Sequence, residues 1–342
     1  MQKYRIAILA YNGCLPTELF AIVDTLRITA DIANDSAVQL EVGIVALDGK
    51  EVTVAGGTRM MFRRPRGKFD FLIVPGMEIS RHADWSGTLA ALQPEAAFLR
   101  TAFQRGAHIA SVCVGAFLLG EAGLLHERKA TTAWLFAREL AQRFPSAIVD
   151  ASAVLMEDHG VTTTAAVSSV FDLALHLARR FYGAAAAVAT ARIALLHNTR
   201  TSQTPYVDSA LLPNSTTSFS GSLSHWFEKR LSVPYDLASV AEAFHMSPRT
   251  LMRRVKGETG LSPLTLLQHA RVEQAKRLLL QTTWSVARVT ESVGYEDQVS
   301  FGRMFRRLVG ATPSSYRRQF KLVNGGQQAD TVAPQHLVAL PS

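Results

Sequence analysis

Leu237-Ala-Ser-Val-Ala-Glu-Ala-Phe-His-Met-Ser-Pro-Arg-Thr-Leu-Met-Arg-Arg-Val-Lys256 reads as two short helices joined by a turn. Leu237, Val240 and Ala241 share one face of the first helix. The turn falls at His245-Met246; Ser247 then offers an N-cap oxygen, and Pro248 suits the first helical position. The second helix buries Leu251 and Val255 and leaves Arg249, Thr250, Arg253, Arg254 and Lys256 outside. A short helix that is apolar inward, cationic outward and held at an angle by a partner suits a DNA major groove.

The pattern recurs downstream. Ser285 to Val293 gives a helix with Val286, Val289 and Val293 inward, and Gly294 permits the turn. Asp297 is the expected N-cap of Gln298-Val-Ser-Phe-Gly-Arg-Met-Phe-Arg-Arg-Leu308. Phe301, Phe305 and Leu308 repeat there at helical spacing, so the two aromatics read as core rather than as base-stacking groups. Gln298, Ser300, Arg303, Arg306 and Arg307 remain for DNA. Between the copies, Ser262-Pro263 opens an amphipathic helix through Leu280, with Leu266, Leu267, Ala270, Ala275, Leu278 and Leu279 available as core. A stiff connector of this kind would let one chain touch successive major grooves, about 34 Å apart on one face of a duplex. The competing reading is a solvated cationic face on an ordinary bundle. Two copies joined by a patterned helix argue against it.

Residues 222–320 resemble the AraC-type DNA-binding domain. The resemblance rests, in order, on Met246-Ser-Pro-Arg-Thr-Leu-Met-Arg-Arg, Thr259-Gly-Leu-Ser-Pro263 and Ala270-Arg-Val-Glu-Gln-Ala-Lys-Arg-Leu-Leu279. It continues with Val293-Gly-Tyr-Glu-Asp297, Phe301-Gly-Arg-Met-Phe305 and Thr312-Pro-Ser-Ser-Tyr-Arg317. It implies a bacterial transcription factor, an activator by expectation, with promoter DNA and RNA polymerase as partners.

Charge agrees with this. The chain of 342 residues carries a formal net charge of +8. Residues 222–320 hold 15 Lys and Arg against 8 Asp and Glu, whereas residues 1–221 hold 20 against 19. The excess therefore sits on the segment expected to neutralise phosphates. Taken alone, a basic surface would equally fit a membrane or RNA. No apolar run reaches spanning length, and Met1-Gln-Lys-Tyr-Arg leads into a strand without a signal peptide, so a cytoplasmic protein with no membrane partner is expected. The two cysteines, Cys14 and Cys113, lack metal-ligand spacing, and no metal or cofactor is expected.

The first two-thirds alternate between strand and helix patterns. Tyr4–Ala10, Val38–Leu47, Phe69–Val74 and Ala107–Val112 suit strands; Thr17–Ala30, Pro94–Arg105, Val114–Glu121, Trp134–Arg143 and Val167–Phe181 suit helices. Such alternation argues for a flavodoxin-like α/β sandwich on a mostly parallel sheet, with ligands at the carboxyl ends of its strands. The candidate site is then Asn12 to Glu18, Pro75-Gly76-Met77 and Cys113-Val114. Ser111-Val-Cys-Val-Gly115 resembles a nucleophile elbow. The helix end there would lower the thiol pKa and could bind an anion. The plainer reading of Cys113 is a small buried residue filling a corner.

Residues 4–185 resemble the PfpI-type, class I glutamine amidotransferase-like domain, which forms a GlxA-type regulator when fused ahead of an AraC-type reader. By that resemblance Cys113 is the elbow cysteine, Glu18 the acidic residue approaching it, and Pro75-Gly76 the loop whose amides face it. Ala122-Gly-Leu-Leu125 and Ala130-Thr-Thr-Ala-Trp134 match the segment after the elbow. Relatives carry His before that Trp, where this chain has Ala133. A thiol attacking a carbonyl needs a base or proton carrier, and His126 and His159 read as surface residues in loops. Thr163-Thr-Ala-Ala166 replaces a Gly-containing turn. The expected role is therefore a non-catalytic pocket, lined by Glu18, Gly76, Met77, Cys113, Val114, Ala133 and Trp134 and holding a small effector. The resemblance implies an amino-acid-derived compound or a quaternary amine. Two alternatives stay open: a cysteine-dependent amidase, protease or glyoxalase activity, and redox sensing by Cys113.

The expected domains are a sensor over 1–197, a polar linker over 198–221, the DNA-binding domain over 222–320 and a disordered tail over 321–342. The Ala-rich start of a helix over Ala184–His197 suggests a homodimer surface, although such runs also pack internally.

Overall fold

The computed structural model describes residues 2–34, 37–49, 51–78, 85–196, 200–208, 211 and 218–321. The chain divides into two compact units, Met1–Val207 and Asp208–Ser342.

Among the described residues the first unit holds ten strands: β1 (Gln2–Leu9), β2 (Val38–Val45), β3 (Glu51–Thr53), β4 (Arg59–Met61), β5 (Phe71–Val74), β6 (His108–Ser111), β7 (Lys129–Ala130), β8 (Ile148–Val149), β9 (Leu155–Asp158) and β10 (Val161–Thr164). Six form the main sheet in the order β2-β1-β5-β6-β10-β9. All its pairs are parallel except β10–β9. The sheet reverses direction of growth at β1, which has β2 on one side and β5 on the other. In open α/β sheets ligands bind at such a switch, beyond the carboxyl ends of the strands. Every side chain of β5 is buried, as expected for a strand covered on both faces.

Helices α1 (Pro16–Ala33), α2 (Trp85–Ala91), α3 (Gln93–Gln104), α4 (Gly115–Glu121), α5 (Ala137–Arg143) and α6 (Ser169–Ile193) complete this unit. One core joins Ile6, Ile8 and Leu9 of β1 to Leu72, Ile73 and Val74 of β5 and to Phe117 of α4. The helix expected over Trp134–Arg143 is a 3-10 turn, Trp134–Phe136, followed by α5. The helices expected to either side of Gly183 run on as α6, broken in geometry at that glycine (φ 83°, ψ 171°). Ala186, Ala187 and Ala191 are buried within the chain, and the Thr190 hydroxyl lies 3.0 Å from that of Thr29 on α1. Much of the Ala-rich stretch is thus used internally, with Ala184 and Ala185 left exposed.

Within the stretch expected as linker, Arg200 and Gln203 bond to the first unit. Arg200 pairs with Asp172 and donates to the Ser168 carbonyl at 2.8 Å. Gln203 is buried: its Oε1 accepts from the Trp134 amide (2.9 Å), and its Nε2 donates to the Thr132 carbonyl (2.8 Å). Polar composition here marks a strap bonded to the first unit rather than solvated chain. Residues 198–199, 209–210 and 212–217 of the expected linker, and the expected tail from 322 onward, lie outside the described residues.

The second unit holds α7 (Phe219–Glu228), α8 (Leu237–Ala243), α9 (Pro248–Thr259), α10 (Pro263–Gln281), α11 (Val286–Ser292), α12 (Gln298–Val309) and α13 (Pro313–Phe320). It has two cores. Leu223, Phe227, Val240, Leu251, Val255, Leu267 and Ala270 make the first; Val272, Ala275, Leu279, Val289, Phe301, Phe305 and Val309 make the second. Helix α10 gives its first half to one core and its second half to the other. Leu266 and Leu278, expected in the core, are only partly buried, as is Leu308, where Val309 is fully buried instead. Arg271, buried on α10, donates to the carbonyls of Leu231 (2.9 Å) and Val233 (3.3 Å) and lies over Tyr295 (5.0 Å). One guanidinium thereby ties the loop after α7 to the turn before α12.

Candidate functional site

In the second unit, each outer helix begins on a capped turn. Ser247 Oγ accepts from the Thr250 amide at 3.2 Å. Asp297 accepts from the amides of Val299 (3.1 Å) and Ser300 (2.7 Å). The Ser300 hydroxyl first, and then these amides, hold its carboxyl below the usual range. The preceding turns need positive φ, supplied by His245 (53°) and Gly294 (81°). Gly294 also has no room for a side chain, since a Cβ there would stand 2.2 Å from the Leu231 carbonyl.

With the caps aligned, the two helices correspond residue by residue. Opposite Leu251 and Val255, α9 presents Arg249, Arg253 and Lys256; opposite Phe301 and Phe305, α12 presents Val299, Arg303 and Arg306. All six are exposed. Among the described residues the ion pairs of this unit are His225–Glu228, Arg254–Glu258 and Lys276–Glu273, so none of the five cations of the two outer faces is in an ion pair, although the Arg303 charge acts on Asp297. Other expected contact residues are occupied within the protein. Arg254 lies over the Phe219 ring (4.1 Å) and pairs with Glu258 (3.5 Å). The Thr250 hydroxyl is 2.9 Å from that of Ser247, Ser300 bonds the Asp297 carboxylate, and Arg307 donates to Gln268 at 2.8 Å. Gln298 is exposed at the first position of α12. Val299, 57% exposed at the start of the face that carries Arg303 and Arg306, was not among the expected residues. Counting two residues on from each cap would have found it, because Arg249 holds the same place.

In the first unit, the expected corner assembles at the switch point. Glu18 comes from the start of α1, Gly76 from the end of β5 and Cys113 from the end of β6. A Cβ on Gly76 would stand 3.1 Å from the Cys113 Cβ and 3.3 Å from Glu18 Oε2. The Gly76 amide donates to Glu18 Oε2 at 2.5 Å, and Glu18 Oε1 is buried without a partner. The Glu18 carboxyl is fully buried, and desolvation pushes its pKa up to about 8, against the pull of the Gly76 amide. A carboxyl held that high favours its neutral form at pH 7.

Cys113 has φ 54°, the strained geometry of an elbow. The strain sits on Cys113 itself. Gly115 serves close approach instead: a Cβ there would lie 2.6 Å from the Pro75 carbonyl oxygen. The expectation of a lowered thiol pKa is reversed. Burial, reinforced by Glu18, pushes Cys113 up to about 12 and outweighs the amides of Val114 and Val167. Cys14 is likewise raised to about 11, mainly by burial. Gly76, Met77, Val114 and Ala133 are buried, and Trp134 is half-buried. Thr132 Oγ1 donates to the Cys113 carbonyl at 2.7 Å and so ties the segment before Trp134 to the elbow. His126 and His159 are exposed, and His159 pairs with Asp158. Among the described residues, no group of three or more His, Cys, Asp or Glu could hold a metal ion, and no helix is long and apolar enough to cross a membrane.

An α/β unit with an elbow cysteine at its switch point, joined to a double helix-turn-helix unit, defines the class. Residues 4–180 match the DJ-1/PfpI family, and residues 240–319 match a helix-turn-helix domain. The chain belongs to the DJ-1/PfpI family and carries an AraC-type helix-turn-helix domain behind it. It is 27% identical over 250 residues to the HTH-type transcriptional regulator GlxA of Rhizobium meliloti, covering 69% of this chain and 72% of that one. It is 39% identical over 83 residues to the arabinose operon regulatory protein of Escherichia coli, and spans 28% of that protein's length. Among solved structures, an AraC family transcriptional regulator from Pseudomonas putida aligns with 20% identity and TM-score 0.45, over 56% of this chain and 98% of that one.

Proposed function

We propose that this protein is a cytoplasmic, sequence-specific DNA-binding transcriptional regulator whose first unit is a non-catalytic sensor for a small metabolite. The observation that carries the reading is the pair of capped helices α9 and α12, with Arg249, Arg253 and Lys256 on one outer face and Arg303 and Arg306 on the other. Guanidinium groups on short helices suit guanine edges and phosphates. Footprinting on promoter DNA tests it: two protected patches about one helical turn apart are expected. Arg253→Ala should weaken specific binding by about 1–3 kcal/mol, roughly 5- to 150-fold. Protection of a single groove, or no selective complex, overturns the reading.

A hydrolytic role for Cys113 is disfavoured by its buried, neutral thiol and by Ala133 where relatives carry His. Redox sensing meets the same obstacle, since the thiolate is the form that oxidises. The elbow instead offers a neutral Glu18 with an unpartnered oxygen, suited to hydrogen-bonding a small polar effector. An amino-acid-derived compound or quaternary amine is the class suggested by resemblance. Thermal-shift measurements of the full chain against amino-acid catabolites and quaternary amines test this, and a flat response across the panel counts against it.

A further inference from the structure

A second feature of the first unit lies apart from the elbow. From Val52 to Phe69 the chain has no carboxylate but carries Arg59, Arg63, Arg64, Arg66 and Lys68. Arg63, Arg64 and Arg66, together with Arg5 of β1, wall a cavity of about 680 Å³. Its floor is left open because Ala7 and Gly43 face each other in the β1–β2 pair, and a Cβ on Gly43 would meet nothing within 4 Å.

Two of these arginines are packed in place, unlike a solvated basic run. Arg5 donates to the Lys68 carbonyl at 2.8 Å and lies over Phe69 at 5.1 Å. Its Nη1 stands 2.8 Å from where a Cβ on Gly67 would be. Arg64 donates to the Asp48 carbonyl at 2.7 Å, and its Cγ stands 2.4 Å from the Cβ position of Gly49. Glycine thus makes room for both side chains. The backbone of Arg63 bridges to Val45, and its carbonyl accepts from the Ala46 amide at 3.0 Å. The wall's one carboxylate, Glu41, is already paired with Lys3 (3.2 Å) and Arg5 (3.5 Å). Arg63 and Arg66 have no carboxylate partner among the described residues.

We propose that this arginine-walled cavity binds a small organic anion carrying two or more carboxylate or phosphate groups. Guanidinium groups pair bidentately with both kinds of oxyanion. The volume lies within the range of small-molecule sites, roughly 300–1,000 Å³. A quaternary amine, one of the two effector classes suggested for the elbow, is repelled here. The cavity shares no residue with the elbow and does not depend on the regulator reading.

Calorimetric titration of the full chain with citrate and with inorganic pyrophosphate tests it, with sodium chloride holding ionic strength constant. The wild type should bind one of the two saturably at one per chain, and which one separates carboxylate from phosphate recognition. Arg63→Ala/Arg66→Ala, two exposed side chains, should weaken that binding at least tenfold while leaving the melting temperature in anion-free buffer unchanged. Arg66→Ala alone should give a smaller loss in the same direction. No saturable heat with either anion overturns the proposal, as does undiminished binding in the double variant. A gel shift run in parallel identifies a third result: DNA affinity lost in the double variant, with no small anion bound by the wild type, assigns the arginines to phosphates of DNA and overturns the proposal too. Failure of footprinting with intact anion binding would sink the regulator reading alone.

Discussion

Glu18 makes the stability of this protein depend on pH in a direction opposite to that of most carboxylates. Its folded pKa, about 8, lies above its ordinary value of 4.5 because the carboxyl is buried. The folded chain therefore keeps a proton that the unfolded chain releases. The contribution is intact below about pH 4.5 and is lost progressively as pH rises through 8. At about 1.4 kcal/mol per unit, the loss is on the order of 3 kcal/mol at pH 7 and 5 kcal/mol near pH 8. Glu18→Gln keeps an acceptor for the Gly76 amide and cannot ionise, so it removes this slope. Urea denaturation of wild type and variant side by side at pH 5, 6, 7 and 8 cancels every other titrating group. The variant should gain a few kcal/mol on the wild type between pH 5 and pH 8. Parallel curves would mean that Glu18 is ionised when folded, and the account of the elbow as a neutral corner would be wrong.

Three further outcomes are expected. A thiol raised to about 12 leaves Cys113 alkylated by iodoacetamide at pH 8 on the order of a thousandfold more slowly than free cysteine; labelling at the free rate, followed by mass spectrometry, would restore the redox alternative. Asp297→Ala removes the acceptor of two amides and should destabilise the second unit by about 0.5–2 kcal/mol, read from its thermal transition; an unchanged transition refutes the capping role. Val299 faces outward where Arg249 does on α9, and an apolar side chain there suits a thymine methyl. Deoxyuridine at one operator thymine should cost the wild type about 0.8 kcal/mol, roughly fourfold, and cost Val299→Ala nothing; an equal loss in both would remove Val299 from base contact.

Where chemistry was local, the chain was easy to read. Ser247-Pro248, Gly294 and Asp297 act on their own neighbours, and each does in the structure what its residue type suggests. The apolar runs of β1, β5 and β6 were equally plain. β10 was hidden because Thr162, Thr163 and Thr164 look like a polar turn, yet all three are buried. Their hydroxyls are satisfied by distant groups: His108, the Thr131 amide and the Ser111 carbonyl. Gln203 failed for the same reason, since its partners lie some 70 residues away. Glu18, Gly76 and Cys113 come together as their spacing suggests, whereas the electrostatics of the corner run against expectation. Spacing brings Cys113 to a helix end, but only packing decides that burial outweighs the amides there.

Because α10 serves both cores of the second unit, the two outer helices cannot turn independently of each other. One residue inserted between Ala270 and Val272 would rotate the far half by about 100° and advance it by about 1.5 Å. For a reader of duplex DNA this makes the protein a gauge of helical phase. Its operators must keep a set number of base pairs between their two recognised elements. A single added pair would put one element out of reach even with every contacted base intact.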